Sequence, residues 1–277
     1  MIKNYFFIPA NKPKFIQKSE TIQGIDNRIF DFEDSILNKD INYSINLLRQ
    51  VKQRDTDWVR VPLEDNIFEE ILESTLNTGY KNFVIPKFKG SNEFTLYANK
   101  ILNLNKNAKF ILLIEHPKAL VEAEDILKKY SKCIHGIGLG SQDMSIEVGM
   151  INDIDIFRSI RINIMILAKA YNIEAIDVVS MNISNKESFE NEIADGFKCG
   201  YRSKFLIHPF QLQVIKNFRF YTDEEVDMYQ EILKYYESNI ERHNALFSYK
   251  GKAYEKMHIK QFKKIVEWRE NFYGTDR

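Results

Sequence analysis

Short apolar runs alternate with amphipathic stretches along the 277 residues of this chain. The runs YFFIP, RIFDF, WVRVP, NFVIPK, KFILLIE, IHGIGLGS, EAIDVVS and SKFLIHP start at Tyr5, Arg28, Trp58, Asn82, Lys109, Ile134, Glu174 and Ser203. Between them, INYSINLLRQVKQ, IFEEILESTLNTG, EFTLYANKILNLN, ALVEAEDILKKYS and FRSIRINIMILAKAYN place apolar residues at i, i+3 and i+4, the spacing of a helix with one buried face. Strands that are apolar throughout are buried on both faces, which implies a parallel sheet. Eight such strand–helix units predict a (β/α)8 TIM barrel. An open, doubly wound sheet is the competing arrangement, but no GxGxxG follows the first strand.

Beyond the eighth strand, PFQLQVIKNF reads as a closing helix. TDEEVDMYQEILKYYESNIERHNALF then reads as a long helix, with Thr222 or Asp223 as its N-cap and acids in its first turn. The polar stretch SYKGKAYEKMH turns at Gly251, and IKQFKKIVEWRENF makes a last helix. The division expected is a barrel over residues 1–220 and a C-terminal helical extension with a lid-like segment over 221–277.

Charge and composition narrow the function classes. The chain is 44% hydrophobic and 28% charged with a formal net charge of +0, which suits a globular protein with a large core. Balanced charge gives no general attraction to nucleic acid or to an anionic membrane, and no basic stripe with interleaved aromatics occurs. Cys133 and Cys199 lack CxxC spacing and read as reduced thiols, so a cytoplasmic location is expected. The opening MIKNYFFIPANK has only a short apolar run ended by Pro9, unlike a secretory signal. No stretch approaches the roughly 18 apolar residues that span a bilayer.

In barrels of this kind the strands' carboxyl ends build the active site. Here those ends carry Asp31, Glu33 and Asp34, then Arg60, Lys87, Glu115, Asp143 and His208. Charges beside a core must be paired, solvated or coordinated, so these residues predict a polar mouth. Glu115 directly follows FILLI and Asp143 lies in the turn after HGIGLG. Two carboxylates completed by water and substrate oxygens match the habit of Mg2+, whereas zinc would bring His or Cys. The alternative is that Glu115 pairs with Lys87 or Arg60 and that Asp143 caps the next helix. Arg60 either grips a substrate carboxylate with both arms of its fork or bridges to Glu33 or Asp34. The Gly138–Ser141 turn has backbone N–H groups to offer an anion. Lys12 and Lys14 suit the phosphates of a nucleotide-bearing substrate, or simply a solvated loop. His208 reads as a structural, hydrogen-bonded histidine, with Pro209 opening the following helix.

Taken in order, FFIPANKPKF, IFDFEDSI, VRVP, FVIPK, LLIEHPKAL, GIGLGSQDMSIEVGM and GYRSKFLIHPFQ resemble the citrate lyase β-subunit-like branch of the HpcH/HpaI aldolase superfamily. The likeness runs from about Tyr5 to Phe218. It implies a (β/α)8 barrel and a Mg2+-dependent C–C bond lyase that cleaves 3-hydroxyacyl-CoA esters such as citramalyl-CoA or malyl-CoA in homo-oligomers, trimers or larger. By this resemblance Glu115 and Asp143 bind the metal and Arg60 binds the substrate carboxylate near Gly140 and Ser141. Glu33 and Asp34 hold metal-bound waters, with Lys87 behind the ligands. The loop from Phe7 through Lys12 to Lys14 approaches CoA. The segment YKGKAYEKM is similar to a lid that in several members comes from a neighbouring subunit, and Glu255 stands where the family usually has Asp. The chain departs from the pattern at Lys12 (usually Arg), Pro62 (Asn), Lys89 (an acid) and His116 (Thr or Ser). These changes leave open an aldolase acting on free 2-oxo acids without CoA, or a non-catalytic ligand-binding subunit of a larger complex.

Overall fold

A strand buried on both faces needs cover inside and out, and closure into a barrel supplies both. In the computed structural model, which describes residues 2–34, 36–239 and 246–273, the first eight strands form one closed parallel barrel. They are β1 (Lys3–Pro9), β2 (Asn27–Asp31), β3 (Asp57–Arg60), β4 (Asn82–Ile85), β5 (Lys109–Ile114), β6 (Ile134–Leu139), β7 (Glu174–Asp177) and β8 (Ser203–Leu206). β8 closes onto β1 with Tyr5 opposite Phe205. Inward-facing Tyr5, Ile29, Trp58, Val84, Ile111, Leu113, Ile176 and Phe205 fill the interior. On β6 this interior admits no side chain at Gly138, where a Cβ would fall 2.5 Å from the Phe205 ring.

The helices cover the outer faces. They are α1 (Pro13–Thr21), α2 (Ile41–Leu48), α3 (Asp65–Asn77), α4 (Ser91–Leu104), α5 (Pro117–Val121), α6 (Ala123–Tyr130), α7 (Ser141–Val148), α8 (Arg158–Ala170), α9 (Lys186–Lys198) and α10 (Pro209–Asn217). Proline opens α1, α5 and α10, where its missing N–H costs no hydrogen bond. Phe94 on α4 shows how the layers lock, with edge-to-face contacts to Phe88, Phe110 and Tyr130.

The barrel floor is polar, and its central carboxylate is well supplied with donors. Glu174 accepts from the Tyr5 hydroxyl at 2.7 Å, from Lys3 Nζ at 2.8 Å and from the Ser203 hydroxyl, and lies 3.1 Å from His135 Nε2. Burial would raise the Glu174 pKa, but the hydrogen bonds from His135, Lys3, Ser203 and Tyr5 outweigh it and hold this carboxyl down at about 2.

The chain divides into two compact units, Ile2–Asn217 and the residues from Phe218 onward. In the second, α11 (Asp223–Ser238) starts with a reciprocal capping box between Thr222 and Glu225, which answers the choice between Thr222 and Asp223. The strands β9 (Leu246–Tyr249) and β10 (Lys252–Glu255) pair antiparallel before α12 (Lys256–Tyr273). This corrects the sequence expectation, which put Leu246 and Phe247 in the long helix and left 248–258 as a polar stretch. Lys250 and Gly251 both take positive φ, +46° and +77°, the pair of left-handed residues that a two-residue hairpin requires. Residues 240–245 of that expected helix lie outside the described part. Phe247 joins Val226, Ile232, Leu233, Ile259, Phe262, Ile265 and Val266 in this unit's own core.

Candidate active site at the strand ends

Period-2 alternation decides which groups reach the mouth. Ile29, Trp58 and Leu113 face the interior, so Asp31, Arg60 and Glu115, two positions on, face it too. Asp31 and Arg60 are also register partners across β2 and β3. Arg60 gives its fork to Asp31, with Nε to Oδ1 at 2.7 Å and Nη2 to Oδ2 at 2.8 Å. Its Nη1 donates to Asp34 at 3.2 Å and lies 2.9 Å from Glu33 Oε2, and the guanidinium sits 5.1 Å over the Phe7 ring. Of the two arrangements open to Arg60, the bridge to Glu33 and Asp34 is the one realised. Both arms of the Arg60 fork meet Asp31, a strand-end acid whose pairing with Arg60 the sequence did not announce. Strand register was the signal that would have found it.

Lys87 connects the acids from the other side. Its backbone N–H donates to Glu115 Oε2 at 2.6 Å, while its Nζ lies 2.5 Å from Glu33, 2.6 Å from Asp34 and 3.8 Å from Asp143. It does so from a left-handed backbone, φ +49°, a strain on the order of 1 kcal/mol for a residue with a side chain. Glu115 therefore pairs with the Lys87 amide, not with either predicted side chain. Asp143 lies in the first turn of α7 but makes no cap bond; the N-cap position belongs to Gly140. A Cβ at Gly140 would fall 2.5 Å from Glu115 Oε1, so only glycine lets this turn approach the carboxylate.

Burial sets the electrostatics. Glu115 is 3% exposed. That burial pushes its pKa up to about 8 against the pull of Arg60 and the Lys87 amide, and Glu33 and Asp143 push the same way. Burial likewise lifts Glu33 to about 7 despite Arg60 and Lys87. In Asp34, burial is outweighed by Arg60 and by Lys87, so this carboxyl titrates below its usual range.

Phe7, Asp34, Arg60, Glu115, Gly140, Ser141 and Asp143 line a single cavity of about 470 Å³. Asp31, placed at the mouth by its strand end, lines it too, together with the apolar Leu113, Val179, Met181, Phe205 and Ile207, which were not foreseen. Lys12 and Lys14 are exposed at the start of α1 and do not line it. A slot of about 190 Å³ lined by Phe15, Lys18 and His208 shares Phe7, Pro9 and Ile207 with the cavity. His208 Nδ1 accepts from the Phe210 N–H at 3.2 Å, the structural part expected of it. His116 Nδ1 accepts from the Lys118 N–H at 3.1 Å and so caps α5. Glu255 belongs to the C-terminal unit, at the end of β10, where its N–H donates to His258 Nδ1 at 2.9 Å.

The donor set suits a hard divalent cation. Among the described residues, Asp31, Glu33, Asp34, Glu115 and Asp143 gather around the cations Arg60 and Lys87, and burial holds Glu115 and Glu33 above the usual carboxylate range. Glu33 Oε2 is buried with no hydrogen bond among the described residues, despite its nearness to Arg60. No group of three or more His, Cys, Asp and Glu side chains is arranged to hold an ion among the described residues. An ion shared by Glu115 and Asp143 would thus complete its shell with water and substrate oxygens, as Mg2+ does.

Residues 3–209 match the family model described as HpcH/HpaI aldolase/citrate lyase. The chain belongs to that family. Membership places it among carbon–carbon lyases. It is 22% identical to human mitochondrial citramalyl-CoA lyase over 94% of this chain and 83% of that protein. It is 25% identical to the citrate lyase β subunit of Haemophilus influenzae, over 84% of each. Its fold matches CitE of Mycobacterium tuberculosis, solved with magnesium, acetoacetate and coenzyme A, with a TM-score of 0.80 at 20% identity over 96% and 97% of the two chains. No helix among the described residues is long and apolar enough to cross a membrane.

Proposed function

We propose that this family member is a Mg2+-dependent lyase that cleaves the C–C bond of a 3-hydroxyacyl-CoA, such as citramalyl-CoA or malyl-CoA, in a retro-aldol (Claisen-type) reaction. One observation carries the reading: Glu115 and Asp143 border the same cavity within a cluster of acids. Those two carboxylates are the proposed ligands. Mg2+ bound there supplies a Lewis acid for the oxygen that becomes the product carbonyl.

The chain's own groups do the rest. The first-turn N–H groups of α7 have no helical acceptor, and Ser141, Gln142 and Asp143 line the cavity, so the substrate carboxylate rests at this positive helix end. Arg60, fixed by Asp31, presents its remaining donor capacity beside it. Leu113, Val179 and Phe205 form an apolar wall that keeps water from the breaking bond. The adjoining slot takes the thioester arm, with Lys18 at its edge and the exposed Lys12 and Lys14 within reach of the CoA phosphates. As the bond breaks, the hydroxyl gives its proton to solvent water and the electron pair of the C–C bond passes to the thioester as an enolate, which takes one proton back at carbon. By the family resemblance, the acid that delivers that proton is Glu255 on the lid-like segment of a neighbouring copy. We propose a homo-oligomer, a trimer or larger, supported by Ile146 and Ile151 at 79% and 76% exposure.

The test is turnover of citramalyl-CoA and malyl-CoA with and without Mg2+. Glu115→Gln and Asp143→Asn should each lose about 10³-fold or more in kcat/KM with the fold intact by circular dichroism. Full activity in either variant overturns the assignment. The position of Lys12 and Lys14 outside the cavity favours a second reading, cleavage of free 2-oxo or 2-hydroxy acids without CoA. A free-acid panel run alongside distinguishes the two.

A further inference from the structure

Lys87 reaches both proposed metal ligands and two of the acids beside them. Its backbone fixes Glu115, and its ammonium sits between Glu33 and Asp34 with Asp143 at the looser distance of 3.8 Å. Its left-handed backbone is a conformation that persists where the surroundings over-determine it. Arg60, the other cation of the cluster, is buried and locked by its fork onto Asp31. The Lys87 head differs: it is 40% exposed, on a flexible stem, and able to move.

We propose that the Lys87 ammonium is a built-in counter-ion that competes with the divalent cation for this acid cluster, and so sets how tightly the cation binds. The inference rests on the metal reading above. Two cations near one set of carboxylates repel each other, and the coupling is reciprocal. Whatever attraction the ammonium gains from the acids in the metal-free protein is subtracted from the binding of the metal. Asp143, held least closely by the ammonium, is the contact it yields first. Lys89, two residues on, provides a control because it is exposed and its backbone N–H donates to Glu93 on α4, away from the mouth acids.

The experiment is calorimetric titration of the full chain with MgCl2, without substrate, for wild type, Lys87→Met, Lys87→Arg and Lys89→Met. Lys87→Met should bind Mg2+ about tenfold more tightly or better, with Lys87→Arg and Lys89→Met within about threefold of wild type. The metal-free Lys87→Met protein should also melt at a lower temperature and gain more from Mg2+ than wild type does. Wild-type affinity or weaker binding in Lys87→Met overturns the proposal. If that variant does not fold without metal, recovery of its native circular dichroism on adding Mg2+ supports competition, and no recovery overturns it. Absence of Mg2+ binding by the wild type would instead sink the metal reading itself, a separate and recognisable failure.

Discussion

The two ends of the barrel treat the same side chain in opposite ways. At the floor, Glu174 receives hydrogen bonds from Tyr5, Lys3 and Ser203, with His135 beside it, and is held at about 2. At the mouth, Glu115 is buried against other acids and pushed up to about 8. The floor is a finished structure in which protein donors meet the charge. The mouth instead crowds acids together, and burial holds two of them above the usual carboxylate range. Polar burial alone therefore does not mark a site; buried acids crowded together at the edge of a cavity do.

The sharpest way to break this contrast is the pH dependence of stability. Glu115 has a folded pKa of about 8, above its ordinary 4.5, so the folded state binds more protons between those values. Metal-free stability should accordingly fall as pH rises through that window, and Mg2+ should restore it. Glu174 has the opposite sign, with a folded pKa of about 2 below an ordinary 4.5. Its contribution is present above 4.5 and is lost as pH falls toward 2. Melting temperatures across pH, with and without Mg2+, test both. A Mg2+ effect that does not grow between pH 5 and 8 would remove the distinction between floor and mouth.

A smaller effect is expected at Asp31. Asp31→Asn leaves the Arg60 fork half-paired and should cost about 2 kcal/mol in stability and roughly tenfold in KM, read by denaturant unfolding and steady-state kinetics. Unchanged KM would make Asp31 purely structural. The smallest effect falls on the exposed loop: replacing Lys12 and Lys14 together by Ala should raise the acyl-CoA KM by about two- to fivefold without touching stability. An unchanged KM there would favour the free-acid reading.

Much of the barrel was legible because apolar period and strand length state burial directly. Eight runs such as FILLI, each followed by an amphipathic helix, are covered on both faces by closing into a barrel. The acids at the mouth were legible as charges that end apolar strands. The Asp31–Arg60 fork was not, because it depends on the β2–β3 register, which one strand's sequence does not contain. The role of Lys87 was hidden for a related reason, since its reach depends on a left-handed backbone after Pro86 that nothing in VIPK announces. The hairpin of the C-terminal unit escaped because exposed polar flanks mask strand alternation, leaving only Lys250-Gly251 as a signal. Glu115 and Asp143, assigned from strand ends and resemblance, do border one cavity.

Whether those two carboxylates take a divalent ion is decided most directly by titrating wild type and Glu115→Gln with MgCl2 near pH 7, in buffers of differing ionisation heat. Wild type should bind the ion and release a proton as Glu115 ionises, while Glu115→Gln should lose most of the affinity and the proton release. Equal binding by the two proteins, with no proton released, would contradict the site described here.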